Sequence, residues 1–192
     1  MKVGVLALQG AFIEHQKILE GLGAEVVQVR LPSDLDDLQG LIIPGGESTT
    51  IGKLAVDFDM MEPLKAFCRS HAVWGTCAGS IFLSKDAARQ QPLLGLMDIK
   101  VERNAFGRQV DSFEIDLPIP CLKKVSPSDA PFHAIFIRAP LIEEVGKGVE
   151  ILASLQDGRI VAAQENRWLA TSFHPELTAD DRFHRYFLEM IP

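Results

Sequence analysis

The 192 residues are 47% hydrophobic and 23% charged, with a formal net charge of −7, a composition that can bury one core in a chain the size of a single domain. The acidic balance, with no basic block, excludes general electrostatic attraction for nucleic acid. No apolar run approaches the ~20 residues of a membrane-spanning helix, so no membrane association is expected and the expected compartment is the cytoplasm.

Residues 3–8 are an apolar run interrupted by Gln9-Gly10, too short for the apolar region of a signal peptide, and read as a first strand. Phe12, Ile13, Leu19 and Leu22 then fall near one face of a helix ending at about Gly21 to Gly23, and residues 25–29 form a second strand that Pro32 stops. Residues 40–43 are a short buried-type strand broken by Pro44-Gly45-Gly46, and 61–70 have a helical pattern leading into the strand 72–75. Alternating apolar runs and helix-period segments predict an α/β fold: a doubly wound, mostly parallel sheet with flanking helices, flavodoxin-like in architecture.

The second half reads differently. Residues 134–138, 149–155, 160–164 and 168–173 look like strands separated by turns, so some antiparallel strands are expected there, with a closing helix at 180–190. Residues 118–131 are polar, punctuated by proline, and read as an exposed connection. With no repeat or linker in view, 1–192 is read as one domain.

The three cysteines, Cys68, Cys77 and Cys121, are widely spaced and suit reduced thiols better than a disulfide framework or a zinc site. Only Cys77 stands in Gly75-Thr76-Cys77-Ala78-Gly79, between an apolar strand and a plausible helix at 80–83. That is the pattern of a nucleophile elbow, where small neighbours let strand and helix approach and a helix N-terminus favours the thiolate. Cys68, on the apolar face of a helix, and Cys121, in a proline-flanked loop, read as structural.

A thiolate nucleophile needs a base that can also protonate the leaving group, and histidine suits both tasks near neutral pH. Of five histidines, His15 and His184 sit on helices, His71 before a strand and His133 in a polar loop; for these four a surface or core role is expected. His174 ends a strand and is followed by Pro175 and Glu176. Proline holds its predecessor extended, which projects residues i and i+2 to one side and sets the Glu176 carboxylate beside the imidazole. A Cys77, His174, Glu176 triad follows, with glutamate as orienter.

Attack on an amide carbonyl places negative charge on oxygen, and Pro44-Gly45-Gly46 lies where open α/β sheets carry their sites, at the C-terminal end of a strand. The Gly46 and Ala78 N–H groups are the candidate oxyanion donors. The same stretch, Gly46 to Leu54, fails as a phosphate loop: five residues separate its glycines and Leu54 stands where a hydroxyl is required.

Several stretches together resemble a known family: Leu8-Gln9-Gly10-Ala11, Pro44-Gly45-Gly46-Glu47-Ser48-Thr49-Thr50, the elbow, Val101-Glu102-Arg103-Asn104, Phe106-Gly107-Arg108-Gln109-Val110-Asp111-Ser112-Phe113-Glu114, Phe136-Ile137-Arg138-Ala139-Pro140 and Ser172-Phe173-His174-Pro175-Glu176-Leu177. Nearly end to end, the chain is similar to the class I glutamine amidotransferases, and among them to glutaminase subunits of pyridoxal 5′-phosphate synthase. The resemblance implies Cys77 as nucleophile, His174 as base and Glu176 as its orienter, with L-glutamine held around Gly46, Glu47, Ser48, Arg103, Ile137 and Arg138. An arginine's planar fork suits the substrate's α-carboxylate. The partner implied is a barrel-shaped synthase subunit that takes the ammonia to build the cofactor from sugar phosphates; the chain itself would need neither metal nor cofactor. Residues 86–92 and 118–131 match no family pattern.

Coupling to a synthase makes low activity in the isolated subunit an expectation. The peptide between Gly45 and Gly46 could flip its N–H into or out of the oxyanion position, with Gln9 as the contact between that loop and a partner. Two rival readings are a cysteine peptidase or deglycase of related fold and a catalytically inactive assembly subunit. His-Pro-Glu and the proline-glycine-glycine loop speak against the first, and the intact triad against the second.

Overall fold

The computed structural model describes residues 1–88, 90–103 and 112–192. In chain order its strands and α-helices are β1 (Lys2–Leu6), α1 (Phe12–Gly21), β2 (Glu25–Val29), β3 (Gly40–Ile43), α2 (Ser48–Asp57), α3 (Met61–Ser70), β4 (Ala72–Thr76), α4 (Ala78–Leu83), β5 (Ser84–Asp86), β6 (Met97–Glu102), β7 (Ser112–Leu117), β8 (Phe132–Ile137), β9 (Leu141–Val145), β10 (Glu150–Ser154), β11 (Ile160–Glu165), β12 (Trp168–Thr171) and α5 (Arg182–Glu189). The main sheet runs β2-β1-β3-β4-β12-β11-β9-β6-β5, β10 pairs with β11, and β7 and β8 form a separate two-stranded sheet.

The expected α/β architecture is present. Strands β2, β1, β3, β4 and β12 are mutually parallel, whereas β12, β11, β9 and β6 pair antiparallel. Residue type explains the difference. β3 and β4 read Gly-Leu-Ile-Ile and Ala-Val-Trp-Gly-Thr and are buried throughout, as central strands covered on both faces must be. β8 alternates buried and more exposed residues, the pattern of a strand with one face on the core.

Two apolar layers cover the sheet. One joins β1, β3 and β4 to Ile51 and Ala55 of α2, Leu64 and Phe67 of α3, and Ile81 and Phe82 of α4. The other joins the opposite sheet face to Leu19 of α1, to Phe183 and Phe187 of α5, and to Phe132 and Phe136 of β8. Helices therefore flank both faces.

Four strands, β5, β6, β7 and β9, and the helix α2 were not expected from the sequence. The α2 segment contains Thr49, Thr50, Ile51 and Gly52, all weak helix formers. It is held by Glu47, whose carboxylate accepts from the Thr49 N–H as an N-cap, and by burial of Ile51 and Ala55. The 118–131 connection carries a 3-10 turn, Pro120–Lys124, that buries Leu122, so it is only partly the exposed loop its composition suggests. His133 lies on β8 rather than in a loop.

Candidate active site

The parallel strands deliver the candidate residues to one edge of the sheet. Gln9 and Gly10 follow β1, Gly45 and Gly46 follow β3, Cys77 follows β4, and His174 lies three residues beyond β12. β4 and β12 are adjacent, with Thr76 opposite Thr171, so the chain segments carrying Cys77 and His174 leave the sheet side by side. The Cys77 N–H donates to the Thr171 carbonyl at 2.8 Å, and the His174 N–H to the Ile135 carbonyl at 2.8 Å. Between them, buried Phe173 packs among Phe132, Phe136 and Phe183 at ring separations of 5.7, 5.5 and 5.3 Å, which fixes the histidine's approach.

The elbow is strained. Cys77 has φ 47° and ψ −110°, in the half of backbone space that a side chain disfavours. Its glycines are sterically required: a Cβ on Gly75 would sit 2.6 Å from the Gly79 carbonyl, and one on Gly79 would sit 1.9 Å from the Ile43 oxygen. Ser80 locks the turn by donating its hydroxyl to the Cys77 carbonyl at 2.7 Å.

His174 Nδ1 and Glu176 Oε1 are 2.7 Å apart, leaving Nε2 as the nitrogen free for Cys77. The route to this contact differs from the expected one. Pro175–Leu177 is a 3-10 turn rather than extended chain, so the carboxylate swings under the ring by turning instead of by alternation. Gly45 buttresses the pair from the other side: a Cβ there would lie 2.6 Å from the His174 ring and 3.2 Å from the Cys77 Cβ. Burial disfavours the imidazolium, but interactions with Cys77 and Glu176 outweigh it and push the His174 pKa upward. Cys68, by contrast, is pushed up to about 12 by burial, and Cys121 is also raised, chiefly by burial; neither environment favours a thiolate.

Every other residue singled out from the sequence lines the same cleft of about 480 Å³: Gln9, Gly46, Glu47, Ser48, Ala78, Arg103, Ile137 and Arg138. Gly10, Ala11, Ile81, Pro140 and Leu177 also line it. The Gly45 carbonyl accepts from the Ala11 N–H at 3.0 Å, so the Gly46 N–H on the far edge of that trans peptide points away from Ala11. Gln9 Oε1 accepts from the Glu47 N–H at 2.7 Å. Gly10, at φ 109°, permits this packing, because a Cβ on it would fall 1.9 Å from the Gly45 oxygen.

The rim of the cleft is charged. Arg103 Nη2 donates to Glu47 Oε1 at 2.6 Å, and Thr49 Oγ1 donates to the same oxygen at 2.9 Å. Partial burial works against ionisation of Glu47, but the Thr49 hydrogen bonds and the Arg103 charge together hold its carboxyl below the usual range. Arg138 is exposed at φ 43°, a strained backbone that turns the chain at the end of β8. Ile137 beside it is 37% exposed, an apolar wall open to a ligand. Residues 104–111, which carry most of the Arg-Asn-x-Phe-Gly-Arg-Gln motif, lie outside the described residues. Two buried histidines behind Glu176, His15 and His184, were expected to be surface or core groups; no sequence spacing links them to His174.

This geometry coincides with close relationship to known proteins. The model of the SNO glutamine amidotransferase family matches residues 5–192. The pyridoxal 5′-phosphate synthase subunit PdxT of Herpetosiphon aurantiacus is 61% identical, with 98% of this chain and 99% of the relative covered. That of Pelotomaculum thermopropionicum is 60% identical, over 98% of this chain and 94% of the relative. A crystal structure of a glutamine amidotransferase superposes with a TM-score of 0.91 at 49% identity, covering 98% of both chains. The elbow, the histidine and carboxylate behind it and the glycine loop beside it thus stand in a chain that belongs to the SNO glutamine amidotransferase family.

Proposed function

We propose that the protein hydrolyses L-glutamine to L-glutamate and ammonia with Cys77 as nucleophile, and passes the ammonia to the synthase subunit of a pyridoxal 5′-phosphate synthase. The observation that carries the reading is the elbow cysteine beside a histidine whose far nitrogen is held by Glu176 at 2.7 Å. In the first step the Cys77 thiolate attacks the side-chain amide carbon, and the oxyanion forms against the N–H groups of Gly46 and Ala78. His174 gives its Nε2 proton to the departing nitrogen, releasing ammonia and leaving a thioester. Water then attacks the thioester carbon while His174 takes its proton. Collapse releases glutamate and the Cys77 thiolate, and the imidazolium is restored. Glu176 keeps the imidazole in one tautomer and supports its charge throughout.

Glu47, Ser48, Ile137 and Arg138 bind the substrate, Ile137 along its aliphatic stem and Arg138 at its α-carboxylate. Arg103, already paired with Glu47, joins them by exchanging one carboxylate for another. Gln9 ties the Glu47 backbone to the end of β1 and is the contact through which a docked synthase reaches the oxyanion loop. The cytoplasm is the compartment this role requires, and among the described residues no helix is long and apolar enough to cross a membrane.

The test is ammonia release from glutamine, with and without the synthase subunit. Wild type is expected to release ammonia and to do so faster with the partner. Cys77→Ala should lose up to about a million-fold in kcat, while Cys68→Ala and Cys121→Ala stay active. Cleavage of peptides or glycated amines without glutamine hydrolysis would establish the rival chemistry instead.

A further inference from the structure

Behind the triad lies a polar cluster that the mechanism above does not use. His15 on α1 and His184 on α5 are both fully buried. His15 Nδ1 and His184 Nε2 are 2.9 Å apart. His15 Nε2 lies 3.3 Å from Thr76 Oγ1 and 3.4 Å from Glu176 Oε2. That carboxylate oxygen is the one His174 leaves free, and among the described residues it has no conventional hydrogen-bond partner. Trp74 closes the cluster edge-on, 5.6 Å from the His15 ring and 5.0 Å from that of His184.

One proton arrangement satisfies these contacts. His15 Nε2 faces the Thr76 hydroxyl, which can accept, and Oε2, which can only accept, so a hydrogen on Nε2 suits both, bonded to Thr76 Oγ1 at 3.3 Å with its positive edge toward Oε2 at 3.4 Å. Nε2 therefore carries the hydrogen, and Nδ1 is an acceptor. The donor to Nδ1 is then His184 Nε2–H, which leaves His184 Nδ1 unprotonated. Both rings are neutral in this arrangement. Burial and the charges of His184 and His174 hold the His15 pKa low; burial outweighs Asp181 at His184 and takes it to about 3.

We propose that His15 is a positioning residue for the triad: its Nε2–H, bonded to Thr76 Oγ1, turns its positive edge to the second oxygen of Glu176 at 3.4 Å, and His184 fixes the tautomer that makes this possible. Oε1 is thereby hydrogen-bonded by His174 and Oε2 faced by the His15 N–H dipole, which favours this carboxylate orientation when the imidazolium gives up its proton. The role rests on the glutaminase reading above.

The experiment is a double-mutant cycle on the full-length protein with its synthase partner, read in kcat and KM for glutamine. His15→Leu should lower kcat about tenfold, the low end for a hydrogen bond to a charged group because the contact is long, with KM within about twofold. His15→Gln, whose amide nitrogen reaches the same place, should recover most of the loss. In a Glu176→Gln background the further loss from His15→Leu should shrink to about twofold or less, since the group it positions is gone. If His15→Leu does not fold, the cycle is read with His15→Asn, whose amide is too short to reach Oε2. Equal losses in the two backgrounds, or a rise in KM at unchanged kcat, would overturn the role. Absence of glutamine hydrolysis by wild type in the same series would instead overturn the glutaminase reading.

Discussion

Acid should weaken this fold through the histidines behind the active site. His184 is fully buried, and burial takes its pKa from 6.5 to about 3. The folded chain therefore refuses a proton that the unfolded chain accepts. Stability rises with pH wherever the unfolded state binds more protons, so this contribution is complete above about 6.5 and is lost as pH falls toward the folded value. At pH 5, about one and a half pH units below the ordinary histidine value, the loss from His184 alone is about 2 kcal/mol. For a chain of this length that lowers the melting temperature by about 4 to 8 °C. His15, also held low, adds to the same trend. The comparison is thermal unfolding at pH 7 and pH 5 of wild type and His184→Gln, which keeps a donor toward His15 but does not titrate. The wild-type drop should exceed that of the variant by about the stated amount. Parallel pH dependences in the two proteins would refute the reasoning, since carboxylates and other histidines are common to both.

The triad geometry orders two further substitutions. Replacing Glu176 by Gln should lower kcat less than replacing His174 by Ala, because an amide can still occupy the place 2.7 Å from Nδ1 while giving up charge support; steady-state hydrolysis across pH measures both. Gly10→Ala should lower kcat at least about a hundredfold by displacing the oxyanion loop, since its Cβ would overlap the Gly45 oxygen. A Gly10→Ala protein with wild-type kcat would show that the loop does not need its observed position.

Sequence was most informative where a residue answers to its immediate neighbours. The elbow needs glycine on both sides because strand and helix meet within van der Waals distance, and that requirement is visible as Gly-x-Cys-x-Gly. The parallel strands β1, β3 and β4 were visible as apolar runs. The antiparallel half was harder: β9 reads Leu-Ile-Glu-Glu-Val, and its two glutamates disguise a strand whose Glu143 and Glu144 pair with Lys100 on β6. The 3-10 turn after His174 is not legible in His-Pro-Glu, because proline restricts the residue before it without dictating the turn that follows. His15 and His184 were not legible at all: each sits on its own helix, and only the packing of α1 and α5 on the same sheet face brings them 2.9 Å apart.

The site divides into a rigid part and an adjustable part, and the division follows from what each residue hangs on. Cys77 and His174 leave adjacent central strands and are tied to them or to β8 by backbone hydrogen bonds of 2.8 Å, with aromatic packing behind, so their relation is set by the core and changes only if the core does. Gly46 hangs on a short loop held by Gln9 and Ala11 through single hydrogen bonds, Glu47 at its end also caps α2, and Arg103 reaches Glu47 through one part-buried ion pair. Single contacts of this kind are worth about 1 kcal/mol each, an amount that a docked protein surface readily offsets. On the proposed assignments, a docked partner would shift Gly46 and Glu47 without disturbing Cys77 and His174. Such a division would let assembly gate the proposed glutamine hydrolysis while the elbow and its histidine stay in place.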